Sequence, residues 1–186
     1  MEAQPISITA WLEARPAVPD QAEALADLVL RNVDHLRQYL PAVAALNSVE
    51  KARSHLAGVA DRAARAEVLE WYLFAEGVLC GGVRLNKIEV ENRKTSIGYL
   101  IDAAYQGRGI VTLALRAFLR YCFEALGMNR VELTAATENV RSIRLAERVG
   151  FIREGRLREA EWLDGAFVDH FVYGLLRSEF LSAATG

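Results

Sequence analysis

The apolar positions of this chain change period several times, and each change marks an element. Residues 6–12 read as a first strand. Helical spacing then sets in, with Asp20 and Glu23 forming a capping-box-like start to a helix that runs to about Arg31. Residues 34–40 predict a short second helix, stopped by Pro41. Ser48 caps a third that runs to about Ala66, with Leu56, Val59 and Ala63 on one face. Strand patterning follows: 68–75 and 79–85 flank a turn at Glu76-Gly77, and 94–101 is the next strand. From about Gly107 to Ala125, Ile110, Leu113, Ala114, Ala117, Phe118 and Tyr121 recur at helical spacing, and Gly127 ends the helix. Residues 130–136 form a strand and 139–149 a helix, closed by Gly150 with apolar Phe151 behind it. Asp164-Gly165 is a tight-turn signal between strands at about 155–163 and 166–176. No repeat, low-complexity tract or linker interrupts the series, so residues 1–186 are read as a single domain. A strand–helix–strand order flanked by hairpins predicts a mixed sheet in an α+β, or mixed α/β, fold.

The chemistry concentrates where the strand at 94–101 feeds the longest helix, through Gln106-Gly107-Arg108-Gly109. A strand, a glycine turn and a helix start together make a site for a phosphate-bearing ligand. The first N–H groups of the helix have no intrahelical partner, and its dipole favours an anion. Glycines let the backbone approach the ligand closely, and Arg108 adds a guanidinium suited to paired phosphate oxygens. The loop is no Walker A motif, because no Gly-Lys-Ser/Thr closes it. It is no dinucleotide fingerprint either, since the third glycine position falls on Thr112.

Four blocks carry a resemblance. The loop Gln106-Gly107-Arg108-Gly109-Ile110-Val111 resembles the acyl-CoA loop Gln/Arg-x-x-Gly-x-Gly/Ala of the general N-acetyltransferase (GNAT) superfamily, with Val111 in place of the last small residue. Residues 139–151, with Asn139, Ser142, Leu145, Gly150 and Phe151, resemble the family's N-x-x-S-x-x-L/V-x-x-x-x-G-F. Upstream, Gly81, Asn86, Ile88, Asn92 and Ile97-Gly98-Tyr99 fall at family spacing, and Leu36 to Pro41 resembles L-x-x-W/Y-L-P. The QGxGI form followed by Thr112 is most similar to the RimJ/RimL-like branch, which acetylates the N-termini of ribosomal proteins.

The resemblance implies a GNAT fold, a central twisted mixed sheet flanked by helices, whose two parallel strands (94–101 and 130–136) splay to admit acyl-CoA. It implies acetyl-CoA as co-substrate, with no metal, and direct attack by an amine in a ternary complex. The expected cofactor contacts are Gln106, Gly107, Arg108, Gly109 and Ile110 on the phosphates, a backbone N–H near Leu100, Ile101 or Asp102 on the thioester carbonyl, and Asn139 and Ser142 on the pantetheine end. Many GNAT enzymes carry a tyrosine where this chain has Ala146. The Rim pattern instead offers Ser142 as the thiolate's proton donor, and Glu161 stands at the position of the branch's catalytic base. Glu159 shares its strand parity and is a second candidate; either could equally be a solvated carboxylate. Asn139 and Ser142 could equally be plain helix-capping residues. Tyr39, Trp71 and Tyr99 are candidates for lining an acceptor pocket or for core packing, and His170 for a structural role.

The demand on the base depends on the acceptor. An α-amino group near pKa 7.8 is roughly one-tenth neutral at pH 7, whereas a lysine near 10.4 is neutral about once in 2,500, a difference of about 3.5 kcal/mol. A protein N-terminus therefore needs only a modest base. A polyamine, amino acid or antibiotic amine is the alternative acceptor, and a non-catalytic acyl-CoA sensor the alternative class.

Composition narrows the field further. With 186 residues, 52% hydrophobic and 25% charged, the chain can bury one sizeable core. A net charge of −2 without a basic run argues against nucleic acid as partner. No stretch of about 20 apolar residues suggests a membrane span, and residues 1–19 lack the apolar centre of a signal peptide. Cys80 and Cys122, far apart in apolar contexts, read as reduced, buried thiols of a cytoplasmic protein. The three His show no metal spacing. A homodimer is expected from the resemblance alone.

Overall fold

The computed structural model describes residues 3–163 and 165–183. One eight-stranded sheet runs in the order β1-β2-β3-β4-β5-β6-β8-β7. Its strands are β1 (Ile6–Ser7), β2 (Leu12–Pro16), β3 (Val68–Ala75), β4 (Val78–Glu89), β5 (Lys94–Ile101), β6 (Arg130–Ala136), β7 (Ile152–Leu163) and β8 (Ala166–Leu176). Every neighbouring pair is antiparallel except β5 and β6. That parallel pair needs the crossover helix α6 (Ile110–Arg120) between its strands.

β3 is buried along its whole length and feeds two cores through its alternating faces. Leu69, Trp71 and Leu73 pack with Leu115, Phe118 and Leu119 of α6. Tyr72 and Phe74 pack on the other side with Leu25, Leu28 and Val29 of α1 (Ala22–Arg31) and Leu56 of α4 (Val49–Ala57). Trp71 is therefore a core residue, edge-on to Phe118 with centroids 4.9 Å apart. Its indole N–H donates to the Gln4 carbonyl at 2.8 Å, which takes it out of any acceptor pocket.

The expected strand at 6–12 is two short strands, because Thr9 turns the chain: its Oγ1 accepts the Leu12 N–H at 3.1 Å. Pro41 does more than stop α2 (Val33–Arg37); at the first helical position, where its missing N–H costs nothing, it opens α3 (Pro41–Ala44). The helix expected over 48–66 breaks at Gly58 into α4 and α5 (Val59–Ala64). The end of the helix expected to reach Ala125 widens into a π turn, Tyr121–Ala125. Two further helices occur among the described residues: α7 (Val140–Arg148), and α8 (Arg177–Ala183), for which the sequence pattern gave no helix. Of the Asp164-Gly165 turn, Asp164 lies outside the described residues, and Gly165 has φ +87°. No helix among the described residues is long and apolar enough to cross a membrane.

Candidate active site

The parallel strands separate where the resemblance requires. β5 and β6 pair at Lys94–Arg130, Thr95–Val131 and Ser96–Glu132, and not beyond. From Ile97 onward β5 stays on β4, while β6 continues on β8. The gap that opens is bounded by backbone whose hydrogen-bonding groups are only half used. Asp102 N–H donates to the Cys80 carbonyl at 2.8 Å. Alternation along the antiparallel ladder then turns the Leu100 N–H toward β4, and those of Tyr99 and Ile101 toward the gap. Of Leu100, Ile101 and Asp102, the residues expected to hold the thioester carbonyl, Ile101 thus has the outward amide.

The glycine loop sits at the end of this gap. Asp102 caps the 3-10 turn Ala103–Tyr105: its Oδ1 accepts the Ala104 N–H at 3.0 Å, and Arg31 donates to its Oδ2 at 3.2 Å. Burial pushes its carboxyl up, but these donors outweigh that and hold it below the usual carboxylate range. Asn32 Oδ1 accepts the Ala103 N–H at 2.8 Å, so α1 and the loop are tied together. Gly107 and Gly109 follow at φ +74° and +75°, the left-handed region that glycine enters at no steric cost. Gly109 is the N-cap of α6 without a side-chain cap, and Leu113 N–H makes the bond back to its carbonyl. The N–H groups of Ile110, Val111 and Thr112 precede that bond and have no intrahelical acceptor. Ile110 is 2% exposed and anchors this turn in the core. Arg108 is exposed, its guanidinium 4.9 Å from the Tyr105 ring centroid. These features fit a diphosphate: amides aimed outward, a cation beside them, and no atom within 4 Å of where a Cβ would stand on either glycine.

Gln106 spans the loop sideways. Its Oε1 accepts from Arg141 of α7 at 2.5 Å, so its NH2 faces and donates to His35 Nε2 of α2 at 2.8 Å. Sequence reasoning missed both partners, which lie 35 and 71 residues away.

On the far bank of the gap Asn139 caps α7, its Oδ1 accepting the Ser142 N–H at 3.1 Å. Ser142 Oγ lies 2.7 Å from the hydroxyl of Tyr99 on β5. Ala146 is fully buried, so no hydroxyl stands one turn further along. Tyr99 packs with the α6-side core, as Phe171 does. His170, one residue before Phe171 on β8, points to the opposite face. There its Nε2 lies 3.1 Å from Glu161 Oε2 on β7. Glu161 is thus a half-exposed carboxylate against a mostly buried imidazole, beside the C-terminal end of β6, where His170 pairs with Ala136. That imidazole neighbour was not foreseen.

The parity argument that linked Glu159 to Glu161 fails. Between the pairs Leu157–His170 and Glu161–Val168, β7 spends four steps against two on β8. The extra residues bulge, Glu159 takes φ +49°, and its N–H donates to Asp169 Oδ1 at 2.7 Å. It is a bulge residue, apart from the Glu161–His170 contact. Cys122, in the π turn after α6, is buried with its thiol pushed up to about 12 by desolvation, and is packing. No cluster of metal-ligating side chains occurs among the described residues.

Comparison with known proteins agrees with this geometry. Residues 12–152 match the acetyltransferase (GNAT) domain model. The ribosomal-protein-serine acetyltransferase of Escherichia coli (strain K12) is 30% identical over 168 residues, 90% of this chain and 94% of that protein. The solved structure of RimL, a ribosomal L7/L12 α-N-protein acetyltransferase in complex with coenzyme A, superposes with a TM-score of 0.89 at 29% identity, covering 93% of this chain and 98% of that one. Mycobacterium smegmatis RimJ, in complex with CoA-disulfide, gives 0.85 at 26% identity, over 98% of this chain and 93% of its own. Splayed strands, glycine turn and whole-length similarity agree, and the chain belongs to the GNAT acetyltransferase family.

Proposed function

We propose that this protein transfers the acetyl group of acetyl-CoA to the α-amine of a protein N-terminus, of the ribosomal-protein kind. The observation that carries this reading is the gap between β5 and β6, with the glycine turn at its end, the Tyr99–Ser142 hydrogen bond on one face and the Glu161–His170 contact on the other. The loop from Gln106 to Ile110 grips the diphosphate, with Arg108 as its cation. The Ile101 N–H polarises the thioester carbonyl. Glu161 takes the proton of the attacking ammonium, and Ser142 meets the leaving sulfur from the opposite face. Similarity along nearly the whole chain to enzymes named for ribosomal-protein N-termini supports this acceptor class. The buried, unpaired thiols of Cys80 and Cys122 accord with a cytoplasmic setting.

The test is mass spectrometry of a mixed panel after incubation with acetyl-CoA: peptides with free ribosomal-protein N-termini, spermidine and free amino acids. Acetylation of peptide α-amines ahead of the others is expected. Preferential modification of spermidine would move the acceptor to polyamines, and coenzyme A binding without any product would make the protein a sensor.

Two variants separate grip from chemistry. Arg108→Ala is expected to raise the acetyl-CoA KM about tenfold with kcat nearly unchanged, the pattern of a contact equal in ground and transition states. Glu161→Gln is expected to lower kcat about 100-fold near pH 6. That deficit should shrink above pH 8, where an α-amine is already neutral without help. A pH profile superimposable on the wild type would remove Glu161 as the base.

A further inference from the structure

Two hydroxyls on opposite banks of the gap are hydrogen-bonded to each other. Tyr99 belongs to β5 and Ser142 to the first turn of α7, directly after β6. By then the strands have parted, so the 2.7 Å contact between Tyr99 Oη and Ser142 Oγ crosses the opening. Both ends are fixed: Asn139 holds the Ser142 N–H, and the Tyr99 ring packs against the α6-side core. The contact can run in either direction, and acidity decides which. A phenol ordinarily titrates near 10, close to a thiol near 8.5. An aliphatic hydroxyl is almost as weak an acid as water, at about 15.7. A lone serine therefore cannot readily protonate a departing thiolate, whereas a serine refilled by a phenol can.

We propose that Tyr99 is the proton source behind Ser142, a positioning residue that donates to Ser142 Oγ and leaves the serine's own hydrogen for the leaving sulfur. This rests on the acetyl-transfer reading above. As the C–S bond breaks, its electron pair goes to sulfur. Sulfur takes the Ser142 proton, and Ser142 takes the Tyr99 proton. The new C–N bond leaves the nitrogen cationic, and it gives up a second proton as the amide forms, after the first that Glu161 took. Both leave to solvent, which returns one to the phenolate. The products are the amide and the free thiol of coenzyme A, with no redox change. Burial raises the Tyr99 phenol and the Ser142 contact lowers it, for a net rise, so the group stays protonated through neutral pH.

The experiment compares full-length wild type, Tyr99→Phe, Ser142→Ala and the double variant, with acetyl-CoA and a peptide that the wild type acetylates. Tyr99→Phe is expected to lower kcat about 100-fold. Its acetyl-CoA KM, and its coenzyme A Kd by calorimetry, should stay within twofold of wild type. The double variant should be no slower than Ser142→Ala, because both changes cut one chain of proton transfer. The alkaline fall in wild-type kcat should vanish in Tyr99→Phe. It should move to lower pH when 3,5-difluorotyrosine, a more acidic phenol of nearly the same shape, is placed at position 99. Wild-type kcat in Tyr99→Phe, multiplying losses in the double variant, or an alkaline limb unmoved by fluorination would overturn the relay. Each would leave acetyl transfer intact, whereas a wild type that binds no coenzyme A and acetylates nothing removes the parent reading as well.

Discussion

Gly109→Val is expected to abolish useful coenzyme A binding while the protein still folds. At φ +75° and ψ 0° Gly109 stands in the left-handed region as the N-cap of α6. Any L side chain there costs ~1–2 kcal/mol, and a β-branched one more. The surrounding protein does not add to that cost, because no atom lies within 4 Å of the position a Cβ would take. The added isopropyl group enters the open side of the turn, where a ligand's oxygens must approach the N–H groups of Ile110, Val111 and Thr112. Relieving the strain by rotating the turn would re-aim the same amides. Calorimetry should therefore show the Kd for coenzyme A rising about 100-fold or more, about 3 kcal/mol. The melting temperature should fall only by about 4–8 °C, at 2–4 °C per kcal/mol for a chain of this length. Gly77→Ala supplies the control. Gly77 sits at φ +81° in the β3–β4 turn, also with open space around it, so it should lose stability without losing affinity. A Gly109→Val protein that binds coenzyme A within threefold of wild type would remove the glycine turn as the phosphate cradle.

The readable parts of this chain are those in which one local signal dominates. Lys94–Ile101 and Arg130–Ala136 match the bounds expected from apolar patterning and flanking turns. The glycines mark the loop after Gln106, but the helix expected from about Gly107 starts only at Ile110, because Gly107 and Gly109 take left-handed φ. Those two strands and that loop already locate the gap. The failures have a different cause. Gly58 and Thr9 break elements through single residues embedded in otherwise regular patterns. The bulge at Glu159 destroys the period-two argument in the strand where it was needed, because alternation holds only while pairing register holds. The contacts that define the chemistry are longer in range still. Tyr99 meets Ser142 across 43 residues and Gln106 meets His35 across 71. Nothing in either local pattern encodes a partner at that distance. The parallel pairing of β5 with β6 brings Tyr99 to Ser142, and the end of α1, tied to the loop through Arg31 and Asn32, brings His35 to Gln106.

Gly81→Ala is expected to damage both stability and turnover through a single methyl group. Gly81 faces Ile101 across β4 and β5, at a non-hydrogen-bonded pair, the kind in which facing residues come closest. A Cβ on Gly81 would lie 2.6 Å from the Leu100 carbonyl oxygen, 3.2 Å from Ile101 Cδ1 and 3.4 Å from Ile101 Cα. The first contact is with backbone, which cannot rotate aside as a flexible side chain would. Either the β4–β5 ladder opens at this pair or the Leu100–Ile101 peptide shifts toward the gap. Overpacking of this kind costs ~1–3 kcal/mol, so a melting temperature lower by about 3–10 °C is expected. The shifted peptide is also the one whose N–H faces the gap, and losing or misplacing one carbonyl-polarising donor lowers kcat about 100-fold or more. The glycine turn begins only at Gln106, beyond the Asp102 cap that Arg31 and Asn32 hold in place. Coenzyme A, which lacks the acetyl carbonyl, should therefore bind Gly81→Ala with little change while acetyl transfer collapses. Normal kcat in a folded Gly81→Ala protein would mean that the Ile101 amide has no part in the reaction. An equal loss of coenzyme A affinity would place the damage in the loop instead.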